Sequence, residues 1–461
     1  MTAATAAFRR VLALGGPLLP VVSFLGRLPT AMCQFGSLLL VAETSGSLAT
    51  AGLVGGALAA GQTAGGPLLG RLADRHGQRP VVLAACWFDA LAVTALVLAA
   101  LARTGALPLA LIALLAGAGV PQIGPLARTR LVALARRARA DDRLVHTALS
   151  FEGTLDEVSF VLGPALVGLS ATVAHPAVAL ALAALLLAVC GSAFALHPTA
   201  AALHPTAAAL HPTAAALRPT GSAPTGEALR PAGEALRPTG AGAGPDPARP
   251  RGRRPAARPA RARMPRAVHA MRASMALQGA LFGACQSGIT ALTADLHRPA
   301  QAGLVYAAMG VMSAVAGLSL ALVPARIGLP VRWRAAAVAL IALSVPLLFV
   351  RSLGALYLAV VVLGAAFAPH LITLFGLTER LVPAGRLAES MAFLTSAVVG
   401  GQALSLAASG RLAEAYGPSA AFAVAVGAAV LILGLALTTR ATDRPAAAIT
   451  PAAGAPAGSA R

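Results

Sequence analysis

Apolar residues run along this chain in stretches of about 20, each cut off by a few polar or charged positions. A helix of that length crosses roughly 30 Å of hydrocarbon and satisfies its own backbone donors and acceptors on the way. Twelve such spans are predicted, near 20–42, 48–71, 80–102, 107–127, 148–173, 176–196, 271–294, 301–324, 334–350, 353–377, 389–410 and 417–439. Small residues are dense within them, as in Ala51-Gly52-Leu53-Val54-Gly55-Gly56, which allows helices to approach closely without a hydrophobic drive between them. The pattern therefore reads as an all-α membrane protein of twelve transmembrane helices. Two six-helix halves, 1–196 and 269–440, flank a low-complexity stretch at 197–268, and a disordered cytoplasmic tail is expected at 441–461.

Composition agrees and supplies an orientation. Of 461 residues, 57% are hydrophobic and 11% charged, and the net charge is +20. All 36 basic residues are Arg. With both termini on the cytoplasmic side, 31 arginines fall in inner segments and 4 in outer loops, and without the central stretch the imbalance is still 19 to 4. This predicts a multi-pass protein of the plasma membrane with both ends in the cytoplasm. The arginines sit at span ends rather than on a soluble face with stacking aromatics, so the charge does not imply nucleic acid. The first apolar run is followed by many more spans and reads as a retained anchor. Cys33, Cys86, Cys190 and Cys285 lie singly in apolar runs, as small buried hydrophobes do.

The central stretch repeats Leu-His-Pro-Thr from Leu196, Leu203 and Leu210, and decays to Leu-Arg-Pro-Thr at Leu217 and Leu236. Proline at that frequency defeats a regular helix, so a disordered cytoplasmic tether is expected. Its cluster from Arg249 to Arg266 suits anionic lipid headgroups, while positive-inside bias alone also accounts for it. His197, His204 and His211 are kept apart by their prolines, and no metal site is expected.

One charged element stands out between the second and third spans: Gly70-Arg71-Leu72-Ala73-Asp74-Arg75-His76-Gly77-Gln78-Arg79. Its two glycines read as reversal points, and its arginines belong at a membrane surface. The string resembles the Gly-x-x-x-Asp-Arg-x-Gly-x-Arg loop of major facilitator superfamily (MFS) transporters, with Gln78 where a basic residue is commoner. Gly70, Asp74, Arg75, Gly77 and Arg79 are thereby implied to form a gating loop. Gly410-Arg411-Leu412-Ala413-Glu414-Ala415-Tyr416-Gly417 echoes it on the opposite face, as inverted repeats would permit. Gly163-Pro164-Ala165-Leu166-Val167-Gly168 resembles the span-5 element of MFS antiporters, incompletely, since Ser159 stands where an earlier glycine belongs. Proline and glycine there bend a helix and admit a close neighbour. The resemblance implies two halves rocking about a central site, in a monomer.

Ionisable groups inside spans are costly, and each is a candidate site. Glu152, Asp156, Ser159 and Gly163 share one helix face, and Asp156 lies about 12 Å into its span at the helical rise. Asp156, Glu157 and Glu152 are candidates for proton or substrate coupling. A structural pairing of Glu152 with Arg128 or Arg130, at the end of span 4, is the alternative, and the resemblance implies a charge network of Asp74, Arg128 and Glu152. Arg27 either contacts substrate or snorkels to the inner surface. Asp89 has no sequence-local partner. His370 and the amides Gln34, Gln278 and Gln286 line the cavity or tie helices together.

Nucleophile–base constellations, phosphate loops and metal clusters do not occur in these spans, which leaves no chemistry for an enzyme or ATP-driven pump. No cofactor is expected beyond a proton gradient. The expected function is a secondary transporter, with proton-coupled efflux of a small molecule leading. An importer or uniporter on the same fold, and a non-transporting sensor or scaffold, remain as alternatives.

Overall fold

The computed structural model describes residues 3–139, 142–203, 265–320, 326–382 and 387–439, and among them every regular element is helical. A short helix α1 (Ala3–Gly15) precedes the first membrane crossing. Six crossings follow: α2 (Leu18–Ser45), α3 (Leu48–His76), α4 (Gln78–Leu101), α5 with α6 (Ala106–Gly119 and Ile123–Arg137), α7 (Asp142–Val173), and α8 with α9 (Pro176–Leu186 and Ser192–Leu196). The second six are α10 (Arg266–Asp295), α11 (Gln301–Ser319), α12 (Leu329–Ser344), α13 (Leu353–Leu381), α14 (Leu387–Tyr416) and α15 (Pro418–Thr438).

The local signals explain the ends. Ser47 caps α3, its Oγ accepting from the Thr50 amide at 3.1 Å, and Ser352 caps α13 in the same way. Pro176 and Pro418 occupy first-turn positions, where the missing N–H is no loss. Pro121 interrupts the fourth crossing, and a non-helical Val120–Gln122 separates α5 from α6 where one continuous span is expected.

Among the described residues, ten crossings are long and apolar enough to span a membrane by length and composition alone. α3 and α10 are as long but less apolar, and they pack among other helices: α3 against α5 and α14, α10 against α14 and α15. A helix walled by protein can carry Gly and amides that a lipid-facing helix cannot. Lipid-facing surfaces carry the large apolar side chains instead, among them Leu107, Leu111 and Leu115 on α5, all exposed.

Within each half, glycine lets backbones touch. A Cβ at Gly117 would stand 1.9 Å from the Leu58 carbonyl oxygen of α3, and one at Gly279 would stand 1.8 Å from that of Val398 on α14. The two halves meet along α3–α14 and α7–α11. At the first contact a Cβ on Gly52 would lie 2.4 Å from the Leu406 oxygen, and one on Gly410 2.5 Å from that of Leu48. At the second, one on Gly303 would lie 2.6 Å from the Pro164 oxygen and from the Gly168 nitrogen. Twelve crossings put the start of α2 and the end of α15 on one face, here called the terminus side. All these cross-half contacts lie toward the far side. Toward the terminus side the Cβ positions of Gly70 and Gly153 meet nothing within 4 Å.

Three expectations are corrected. Gly70 does not reverse the chain: α3 continues to His76, and Gly77 alone turns it, with φ +87°. The seventh crossing begins at Arg266, inside the stretch assigned to the tether, and the first turn of that stretch, Pro198–Leu203, is a 3-10 helix. Span 9 starts at Leu329 rather than 334, and the expected end of span 8 near 324 lies outside the described residues. The rest of the tether, with its repeats and arginine cluster, lies outside the described residues, as does the tail beyond residue 439.

Candidate functional site

The densest polar site in the first half joins α2, α6 and α7. Arg27 on α2 is 5% exposed and reaches α7, where its Nη1 donates to Asp156 Oδ1 at 2.7 Å and to the Glu152 carbonyl oxygen at 3.2 Å. Its Nη2 bonds the Glu152 carboxylate and Ser23 Oγ, and its Nε donates to the Ser23 carbonyl at 3.1 Å. Arg128 on α6 bonds the other Asp156 oxygen. Gly124, also on α6, makes room for that carboxylate, because a Cβ there would lie 2.8 Å from Asp156 Oδ1. Two arginines therefore neutralise two carboxylates. Glu152 is 1% exposed, so this pair is retained only because its hydrogen bonds are nearly complete.

The partners differ from those expected. Arg27 neither snorkels nor stands free for substrate, and it takes the place assigned to Arg128 and Arg130 as the partner of Glu152. Of the expected network of Asp74, Arg128 and Glu152, the last two belong to a cluster with Arg27 and Asp156. The side chain of Asp74 lies outside the described residues. Arg130, fully buried, is a tie between helices: it donates to Gln78 Oε1 at 3.2 and 3.0 Å and to the Phe194 carbonyl at 2.9 Å, and it stacks 3.9 Å over the Phe194 ring. That explains Gln78, since a basic residue at this position would face the guanidinium. Arg75 and Arg79 are exposed.

Glu157 is different. It is exposed and has no hydrogen-bond or ion-pair partner among the described residues. It precedes Val161 by one turn on the α7 face that meets α11, where Val161 touches Gly310 and Gly168 meets Gly303. Its carboxylate is thus on the face of α7 turned toward α11, one turn nearer the terminus side than the Val161 contact. Gly163 packs on Ala31 and Met32 of α2, so the Gly163–Pro164–Gly168 element gives α7 two close neighbours, one in each half. Asp89 on α4 is 3% exposed, beside Cys33 and Cys86, and has no partner among the described residues.

In the second half Gln278 and His370 tie helices. His370 Nδ1 bonds Gln278 Oε1, its Nε2 lies 3.2 Å from Ser274 Oγ, and Gln278 Nε2 donates to the Phe367 carbonyl at 3.0 Å. Gln286 Oε1 accepts from Gln402 Nε2 on α14 at 3.0 Å. The sequence reading missed Gln62 and Gln402. It also passed over Glu414 as a contact, although the repeat of the Gly70–Gly77 string was its signal. Glu414 Oε2 accepts from Ser47 Oγ at 2.6 Å and from the Ala49 amide at 2.7 Å, so α14 caps α3 across the halves at the far side.

No family model and no curated protein matches this sequence. Solved structures do match its fold. A variant of the nucleoside transporter NupG superposes with a TM-score of 0.64 at 17% identity, covering 91% of this chain and 98% of that one. A bacterial homologue of the iron transporter ferroportin, in an inward-facing state, gives 0.64 at 15% over 93% and 98%. The human organic anion transporter MFSD10 gives 0.53 at 19% over 93% and 99%. The chain has the MFS transporter fold. Its two six-helix halves form a multi-pass membrane protein.

Proposed function

We propose that the protein is a secondary active transporter of the plasma membrane, with both termini cytoplasmic, that exports a small molecule by alternating access in exchange for protons. The observation that carries this reading is the asymmetry of the contact between the halves. Glycines bring the far-side ends of the halves into contact, while toward the terminus side Gly70 and Gly153 meet no neighbour and the Glu157 side chain is exposed and unpaired among the described residues. Such an arrangement binds from one side and, by rocking about the α3–α14 and α7–α11 contacts, opens to the other. Glu157 is the proton carrier. Asp156 is unsuited to that role, because two guanidiniums hold it, and it serves with Arg27, Arg128 and Glu152 as a fixed joint of α2, α6 and α7. The bulk of the solved relatives' printed names describe transporters, which supports the general reading. The partial antiporter element at Gly163–Gly168 favours export over import or uniport.

The test uses purified protein in liposomes with an imposed proton gradient and a trapped pH dye. Candidate compounds are added singly to wild-type and Glu157→Gln protein. Compound-dependent collapse of the gradient that Glu157→Gln abolishes supports exchange. Equilibration of labelled compound without proton movement sinks the coupling and leaves a uniporter.

A further inference from the structure

The fourth crossing changes partners where Pro121 breaks it. α5 packs along α3 and α4, whereas α6, beyond the break, packs on α7, α2 and α1 and reaches α4 by side chains at Gln78. On α3, Gly61 and Gly65 seat α5: a Cβ on the first would stand 2.1 Å from the Leu114 oxygen, and one on the second 2.2 Å from that of Ala118. The same α3 face continues toward the terminus side as Leu69 and Leu72, four and seven residues past Gly65, after α5 has ended at Gly119. Across from them α4 presents Ala84 and Phe88, and Phe88 closes on Gly119, where a Cβ would lie 2.4 Å from its ring. The departure of α6 thus leaves an apolar groove of about 460 Å³, walled by these four side chains and ended by Ala118 and Gly119.

Its surroundings say what covers it. The groove shares Ala84 and Phe88 with the outer stripe of α4, which continues through Trp87, Leu91 and Leu98, all exposed and apolar, and Leu68 beside it on α3 is exposed as well. That stripe faces lipid. From Gln78, the first residue of α4, to Phe88 is ten residues, or about 15 Å at the helical rise. This is half of a hydrocarbon core of about 30 Å, so the groove is one leaflet deep. Its terminus-side mouth is basic. Arg71 adjoins Leu72, Arg75 lies one turn beyond it, and Arg79 precedes Pro80, which lines the groove; all three are exposed. With three arginines against one aspartate, the hairpin from Arg71 to Arg79 keeps a net positive charge at the level of the lipid headgroups.

We propose that this groove holds an anionic phospholipid of the terminus-side leaflet, one acyl chain against Leu69, Leu72, Ala84 and Phe88 and the phosphate among Arg71, Arg75 and Arg79. The chain covers the apolar surface that α6 leaves bare, and the arginines select the anion. A zwitterionic lipid with the same chains fills the groove without the gain in net charge. Free phosphate meets exposed arginines in water and has no chain to hold it, so it binds weakly. The site is independent of the transport reading, because it is read by binding alone.

The test is native mass spectrometry of the purified full-length protein in detergent, titrated with dioleoyl phosphatidylglycerol, dioleoyl phosphatidylcholine or inorganic phosphate. Melting temperature reports whether each variant folds. Phosphatidylglycerol should be retained about tenfold more tightly than phosphatidylcholine, and phosphate should not bind. Ala84→Trp fills the groove and should abolish that retention, while Leu98→Trp, on the same stripe but away from the groove, should keep it. Arg71→Gln, Arg75→Gln and Arg79→Gln together should reduce phosphatidylglycerol to the level of phosphatidylcholine. Equal retention of the two lipids by the parent protein overturns the proposal, as does phosphatidylglycerol binding unchanged in folded Ala84→Trp or in the arginine variant. Equal loss in Ala84→Trp and Leu98→Trp would mark general boundary lipid and overturn the groove, and phosphate binding as tight as the lipid would do the same. Should Ala84→Trp fail to fold, the arginine variant and the comparison of headgroups decide.

Discussion

Gly52 and Gly117 face the same obstacle in different places, and substituting each should have different consequences. A Cβ on Gly117 would stand 1.9 Å from the Leu58 oxygen within the first half, and one on Gly52 would stand 2.4 Å from the Leu406 oxygen across the halves. Ordinary contact begins near 3.4 Å, so Gly52→Ala must move α3 and α14 apart by about 1 Å at the far side. Overpacking of this kind costs about 1–3 kcal/mol. Inside a half the cost falls on folding. Between halves the molecule escapes it by opening the far side, which should shift the conformational equilibrium by about 5–150-fold. The assay is disulfide formation between Ser47→Cys and Glu414→Cys, whose native side chains touch at 2.6 Å, in a background without the four native cysteines. Gly52→Ala should slow cross-linking with little loss of melting temperature, and Gly117→Ala should lower the melting temperature with cross-linking unchanged. Equal cross-linking in the parent and Gly52→Ala, with melting lowered as for Gly117→Ala, would refute the reasoning.

Other consequences are separable. Glu152→Gln leaves Arg27 and Arg128 to share the single Asp156 carboxylate, one buried positive charge uncompensated, and should cost about 3–5 kcal/mol in thermal or denaturant unfolding, whereas Arg27→Met with Glu152→Leu should recover most of it. Glu157→Gln should leave the melting temperature within a degree or two, because nothing among the described residues bonds that side chain. Gly77→Ala forces an L-residue to φ +87° and should destabilise by about 1 kcal/mol or more, while Gly70→Ala, in open helix, should be neutral or stabilising by about 0.5–1 kcal/mol. Glu414→Gln should weaken the far-side cap and loosen cross-half contact, read as faster far-side labelling by a maleimide, by a factor of a few for a cap worth about 0.5–2 kcal/mol.

Much of the fold was legible because membranes restrict what a chain can do. Hydrocarbon demands long apolar helices, and the sequence shows them directly as runs between Arg-rich breaks. Even α3 and α10, the least apolar crossings, were legible from length and small-residue density. The inverted repeat was legible too: Gly77 and Gly417 take nearly the same backbone, φ +87° and +84°, at the same point of their strings. The charge partners were not. Pairing Glu152 with Arg27 depends on how α2 leans on α7, and that is set by Gly163 against Ala31, a contact without a local signature. Their place at the end of span 4 offered Arg128 or Arg130 to Glu152, but the geometry gives Arg128 to Asp156 and Arg130 to Gln78. Of the amides, Gln286 was legible in its own span, but its partner Gln402 on α14 is joined to it only by the packing of α10 against α14.

Alternating access makes one demand that no static binding protein shares: the two faces must open in opposition. Spin labels at Thr104 and Arg351 would report the separation of the halves on the far side, and labels at Arg71 and Glu379 the separation on the terminus side, all four positions being exposed. Pulsed electron-spin distances would be taken in liposomes at neutral and acidic pH, with and without a transported compound. The reading here predicts two populations whose weights change reciprocally, the far-side pair lengthening as the terminus-side pair shortens, with the pH response lost in Glu157→Gln. Distances that stay fixed on both faces, or that lengthen together, would contradict it.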